Sequence, residues 1–164
     1  MKRTLLLFFL LAGLIVVPAI AQDFTSSRPQ FLSFSFGVPI GYNLDAEEMV
    51  SGHNFGFDFA VMDNMTIGYD RLVLAGDGFD YAANLMRVAF SFDGFGPQGS
   101  GAAIGFGSDG NEAVVSLGVF ANLVQARAAN GLAYGLGLRV DYLAPTDSFG
   151  DGSIIFTIRA TFGL

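Results

Sequence analysis

The sequence predicts an all-β fold, an eight-stranded antiparallel up-and-down transmembrane β-barrel. Three observations predict it. From residue 32 onward, apolar side chains alternate with small or polar ones at period two, which places the two kinds on opposite faces of a strand. Turn-forming clusters interrupt the alternation at the spacing of a meander. The non-apolar face is made of Gly, Ala and Ser. Only 14% of the chain is charged against 52% hydrophobic, whereas a soluble domain carries about 25% charge.

The first segment stands apart. Lys2 and Arg3 precede an uncharged apolar run over residues 5–17, and Pro18 then leads into Ala19-Ile20-Ala21. A basic start, a short apolar stretch and a small-x-small site form the pattern of a secretory signal, cut here after Ala21. The run is too short to span a bilayer as a helix, which needs about 20 residues. Two parts follow: a removed signal peptide, residues 1–21, and a barrel, residues 22–164. The second part has six Arg and no Lys against fifteen Asp plus Glu, a formal charge of −9. That charge, with no basic cluster, argues against nucleic acid as a partner. No Cys is present, so disulfides and thiolate metal sites are excluded. The high apolar content excludes a disordered chain.

The strands can be read in order. In residues 32–44 the even positions Leu32, Phe34, Phe36, Val38, Ile40, Tyr42 and Leu44 are apolar, and the odd ones are Ser33, Ser35, Gly37, Pro39, Gly41 and Asn43. The second strand sets Phe55, Phe57, Phe59 and Val61 against Asn54, Gly56, Asp58 and Ala60, and the third sets Met65, Ile67 and Tyr69 against Thr66, Gly68 and Asp70. The fourth has Met86, Val88, Phe90 and Phe92 on one face. The fifth, short and Gly-rich, has Ala102, Ile104 and Phe106. The sixth has Val115, Leu117, Val119 and Leu123, and the seventh Leu132 to Tyr142 at even positions. The last has Ile154, Phe156, Ile158, Phe162 and Leu164. Turn signals lie at 45–52, 63–64, 75–80, 93–98, 108–112, 125–131 and 144–152. Paired residues must share a face, so a three-residue loop Met62-Asp63-Asn64 is expected, pairing Val61 with Met65, Phe59 with Ile67 and Phe57 with Tyr69, with Asn64 left-handed. Pro39 lacks a ladder donor, so the first strand should bulge or lose a bond there.

Two barrels fit such strands. A lipocalin-like soluble barrel turns its apolar face inward; a membrane barrel turns it outward into lipid. A soluble surface is about a quarter to a third charged, and the small-residue face here is not. A narrow eight-stranded lumen, by contrast, favours small residues with a few long ones. Backbone groups left unpaired in hydrocarbon cost several kcal/mol each, so strands there must close. Tyr42, Tyr69, Tyr81 and Tyr142 are candidates for an interfacial aromatic girdle.

On these residues the chain resembles the small eight-stranded outer-membrane proteins of diderm bacteria, of the OmpX, OmpW and OmpA-transmembrane type. The resemblance covers essentially all of residues 22–164 and rests on pattern. Its most specific part is the C-terminus, where Phe162 and Leu164 fill the third-last and last positions read by the barrel-assembly machinery, and Thr157 fits the upstream polar position. Leu in place of a final Phe, and Arg159 where Gly is preferred, depart from the family pattern. The resemblance implies outer-membrane lipid and that machinery as partners, a monomer, no cofactor, and periplasmic termini. The alternate loops then become external. They carry Asp45, Glu47, Glu48, Asp77, Asp80, Asp109, Glu112, Asp147 and Asp151 and no Lys or Arg, a rim that would attract cations or basic partners, although acidic residues also favour turns for local reasons.

The inward face carries Asp58, Asp70 and Asp141 with Arg87, Arg139 and Arg159. Buried unpaired charge is costly, so equal numbers of each sign point to a network across the lumen, either a structural plug or a polar constriction for a small solute. Residues 94–99 match G-x-G-x-x-G by letters but lack the strand-turn-helix setting of a nucleotide site. His53 is the only His, with Ser51 and Glu47 or Glu48 nearby; a lipid hydrolase would need these in triad order, and a single His without Cys makes no zinc site. The expected function is therefore a non-enzymatic outer-membrane barrel with a structural or surface-interaction role. A narrow channel is the alternative and a lipid hydrolase the remote one.

Overall fold

Each stretch of alternation forms a strand. The computed structural model describes residues 31–77, 80–92, 100–128 and 132–164. The strands are β1 (Leu32–Asn43), β2 (Glu48–Met62), β3 (Met65–Ala75), β4 (Asp80–Ser91), β5 (Gly101–Ser108), β6 (Ala113–Arg127), β7 (Ala133–Pro145) and β8 (Ser153–Gly163), with a 3-10 turn at Phe149–Asp151. Each pairs antiparallel with its sequence neighbour, and β8 pairs with β1, closing the barrel. The signal segment and the glycine motif at 94–99 lie outside the described residues.

The stagger follows from the partners. Ser33 faces Asp58, then Gly68, Arg87, Gly105, Ser116, Leu143 and Ser153 in turn, and Ser153 faces Asn43 back on β1. One circuit therefore climbs from residue 33 to residue 43 of β1. With strands about 4.8 Å apart this tilts them by about 40°. An eight-stranded barrel of this kind is just wide enough for side chains to fill.

Several local expectations are changed by the ladder. Phe59 does pair with Ile67 and Phe57 with Tyr69, but the extra residue sits in a bulge between Ala60 and Met62, and Met62 pairs with Met65. The turn is thus Asp63-Asn64 alone, and the bulge corrects the face parity that a longer loop was expected to correct. Asn64 does not take the left-handed conformation; Glu47 does, with φ 53°, in a loop shortened to residues 44–47 because β2 begins at Glu48. A second bulge, between Asn122 and Val124, takes Leu123 out of the outward series and explains why the sixth alternation falters. Pro39 keeps its place opposite Thr157 on β8, while the β1–β2 ladder skips Val38 and Pro39 without changing register.

The two faces divide as the alternation implies. Phe34, Phe36, Val38, Ile40, Phe59, Met86, Phe106, Leu117, Phe156, Ile158 and Phe162 are exposed on the outer wall. The axis is not lined by small and polar residues throughout. Val50, Leu72, Leu74, Ala83, Leu85, Val114, Leu143 and Ile155 form a buried apolar cluster inside the barrel, with Tyr81 packed against it. Tyr81 therefore faces inward and leaves the expected girdle, because β4 continues in register to Asp80.

Candidate functional site

The six inward charges occupy the middle of the lumen. Gly68 is the cross-strand partner of both Asp58 and Arg87. Its missing side chain lets Arg87 on β4 reach over β3 to Asp58 on β2. The Arg87 Nη2 lies 2.7 and 2.8 Å from the two Asp58 oxygens, and its Nη1 lies 3.0 Å from Asp70 Oδ2. Arg139 on β7 donates from Nη1 to Asp70 Oδ2 and from Nε to Asp141 Oδ2, both at 2.5 Å. Asn54 donates to Asp70 Oδ1 at 3.3 Å, and Ser116 to Asp141 Oδ1 at 3.2 Å. One chain of charge-assisted bonds thus runs Asp58, Arg87, Asp70, Arg139, Asp141.

Sequence explains where the carboxylates fit. Each inward Asp faces a glycine directly across the ladder: Asp58 faces Gly68, Asp70 faces Gly56, and Asp141 faces Gly118. A Cβ at any of the three would run into the facing carboxylate. The Gly–Asp alternation is therefore a packing code for laying charged side chains flat inside a narrow tube.

Arg159 departs from the expected network. It is buried, yet among the described residues it forms no ion pair within 4 Å, and its Nε has no hydrogen-bond partner. Its neighbours across the ladders are Gly37 and Gly137, which offer no side chain. Such a cation carries the desolvation cost of burial without a direct partner.

Above this layer, toward the end bearing loops 44–47, 109–112 and 146–152, the lumen is mostly apolar, with Asn43 donating to Ser153 Oγ at 3.2 Å among the buried groups. On β3 Leu72 and Leu74 follow Asp70, on β4 Leu85 and Ala83 lie loopward of Arg87, and Leu143 and Ile155 do the same on β7 and β8. Leu74, Ile155, Val50 and Val114 are each under 2% exposed, so the tube is filled at that level. Both Leu85 and Ile155 stand on the small-residue face in the sequence, and that was the signal available for this layer.

The acidic residues gather at the same loop end. Asp45, Glu47, Asp77, Glu112, Asp147 and Asp151 are exposed in or beside the loops, and Asp109 is partly buried. Asp109 Oδ1 accepts from the backbone N–H groups of Asn111 and Glu112 at 2.9 and 2.8 Å, so it holds a turn. Glu48 and Asp80 begin strands rather than lying in loops, and the Glu48 carboxylate sits beside Gly76.

Ser51 and His53 are strand residues on the outward face of β2, both exposed. Glu48 lies on the opposite face, so these three residues do not assemble in triad order. Phe162 faces outward between Phe34 and Tyr134, and the Leu164 N–H donates to Leu32 O at 3.0 Å. Tyr42 and Tyr142 face outward near the loop end, and the Tyr142 hydroxyl donates to Phe149 O.

The third alternation fades after Asp70, and this hides one outward group from sequence reasoning. β3 runs on to Ala75, which puts Arg71 on the apolar face. Tyr69 OH donates to Asn84 Oδ1 at 2.6 Å, and Arg71 Nη1 lies 3.5 Å from the same oxygen.

No family model matches the chain, and no curated protein matches it. Among solved structures it is similar to the outer membrane protein AlkL, determined by solid-state NMR in DMPC lipid bilayers, with 12% identity and a TM-score of 0.39 over 87% of this chain and 92% of that one.

Proposed function

We propose that this chain is an outer-membrane β-barrel of a diderm bacterium, a non-enzymatic, non-conducting monomer whose acidic loops face the exterior after removal of a signal peptide near Ala21. The observation that carries the reading is the inversion of polarity. Phe36, Val38, Met86, Phe106 and Ile158 are each more than half exposed on the outer wall, while Asp70 and Arg139 are under 4% exposed at the axis. Fully burying such a side chain gains about 1.5–3 kcal/mol, and one already half covered gains roughly half of that on leaving water. Summed over the wall this is still tens of kcal/mol, more than the roughly 5–15 kcal/mol of a typical domain's stability. A wall of that kind belongs in lipid. At a tilt of about 40° each residue rises about 2.5 Å along the axis, so the outward series from Ile154 to Phe162 spans about 20 Å before side chains are added, close to the apolar band of known barrels.

The absence of Cys from the sequence makes the test clean. A spin label at Ile158→Cys, with the protein in a bilayer, is expected to relax strongly with oxygen and weakly with a water-soluble nickel chelate. A label that reports water at that site defeats the membrane reading. A channel is disfavoured by the apolar layer and the ion chain stacked in one lumen.

A further inference from the structure

The outer wall changes character abruptly on one side. Phe57, Tyr69, Met86 and Phe106 are consecutive cross-strand partners from β2 to β5, an apolar row. One step toward the loops the partners are Phe55, Arg71, Asn84 and Ser108. His53 lies one further step up on β2, diagonal to Arg71, and such neighbours stand about 7–8 Å apart, within reach of long side chains. Arg71, Asn84, Ser108 and His53 are all exposed. Asn84 Oδ1 takes the Tyr69 hydroxyl at 2.6 Å and lies 3.5 Å from Arg71 Nη1, so the guanidinium is held against the wall with its other donors free to point outward. Among the described residues no carboxylate lies within 4 Å of Arg71.

We propose that Arg71, positioned by Asn84 and Tyr69 and assisted by His53, binds the phosphate of an anionic lipid over the loop-side half of the apolar wall. The site rests on the membrane reading given above. An arginine on a lipid-facing wall costs about 2–4 kcal/mol at mid-bilayer and less toward the interface, and its long side chain lets the guanidinium reach toward the headgroups. Its fork of donors suits a phosphate, which accepts two bonds side by side. The loops above it are acidic, with Asp45, Glu47, Asp77 and Glu112 exposed. An anion approaching from solution is repelled there, whereas a lipid phosphate arrives along the wall.

The test uses the folded chain in a neutral detergent, with native mass spectrometry counting retained lipid. The probes are phosphatidic acid and diacylglycerol with the same acyl chains. Wild type should retain phosphatidic acid about tenfold better, a difference of about 1.4 kcal/mol, and Arg71→Gln should remove most of that preference without changing diacylglycerol retention. His53→Gln should weaken it less. Electrophoretic heat-modifiability confirms that each variant is folded. Equal retention of both lipids by wild type, or an unchanged preference in Arg71→Gln, overturns the site. Displacement by millimolar inorganic phosphate overturns the lipid as its ligand and assigns a free anion instead. The Ile158→Cys label separates the two levels. If it reports lipid while Arg71→Gln changes nothing, only the site fails; if it reports water, the membrane reading and the site fail together.

Discussion

Arg139 on β7 donates to Asp70 on β3 across the full width of the barrel, four strands away in either direction. Asp70 also holds Arg87, so one carboxylate joins two walls that share no ladder. Removing it leaves two buried guanidinium groups short of a partner. Breaking a buried pair in this way costs about 3–5 kcal/mol. Asp70→Ala should therefore lower the urea midpoint of the detergent-folded barrel by far more than a surface substitution, and a midpoint within error of wild type would show that the chain of charges is not under load.

Arg159 should behave differently, although it lies in the same layer. Among the described residues no carboxylate lies within 4 Å of it and its Nε is unbonded, so only longer-range attraction to Asp58 and Asp70 offsets its burial. Arg159→Met is expected to leave stability within about 1 kcal/mol of wild type, or to raise it, as replacement of buried charge by apolar groups often does. Arg139→Met, at similar burial, is expected to lose about 3–5 kcal/mol because it leaves the buried Asp141 without its ion-pair partner and takes one of two from Asp70. Paired unfolding curves decide this, and equal losses for the two arginines would contradict the assignment.

Glycine position provides a sharper control. Gly68 and Gly105 lie on the same lumen row, on either side of Arg87. A Cβ at Gly68 meets the Asp58 carboxylate, while one at Gly105 has its nearest neighbour, Ser116 Cβ, at 3.4 Å. Overpacking of this kind costs about 1–3 kcal/mol, so Gly68→Ala should destabilise measurably and Gly105→Ala should be tolerated. Similar unfolding midpoints for the two variants would refute the packing account.

Much of this was legible in the sequence, for a physical reason. Period two fixes which face each residue takes once one pairing is known, so the eight strands, the outward Phe series and the inward charges followed from parity. What parity could not supply was any event that changes it. The bulges at Ala60/Met62 and Asn122/Val124 bring the faces of two neighbouring strands into agreement, which no single strand encodes. Nor could strand ends be read where alternation fades: stopping β3 at Asp70 hid Leu72 and Leu74 inside and Arg71 outside. Arg159 shares the layer and feels Asp58 and Asp70 at longer range without a direct ion pair among the described residues, because the reach of a side chain depends on its surroundings and not on charge balance alone.

Conductance follows from the two filled layers. Leu74, Val50, Val114 and Ile155 pack at the loop end, and the Arg139–Asp70 bond crosses the tube beneath them. The protein in a planar bilayer should show no unitary openings above background. Reproducible openings from the wild-type chain would mean that the lumen rearranges in lipid and would return the channel reading to first place.

The C-terminal strand provides the last prediction. β8 has to close on β1 as well as pair with β7, so its outward residues enter the barrel at the seam. Phe162 sits there, between Phe34 and Tyr134 on the outer wall, and Leu164 ties the end of the chain to Leu32. If the assembly machinery reads Phe162 and Leu164, Phe162→Ser should reduce the folded, heat-modifiable fraction in cells while the purified variant still folds in detergent with a loss of about 3–5 kcal/mol or less, the range for deleting a large aromatic. Leu164→Phe should raise the cellular fraction. The contrast between cell and detergent is what matters: an equal deficit in both would make Phe162 an ordinary packing residue and remove the C-terminus as a recognition signal.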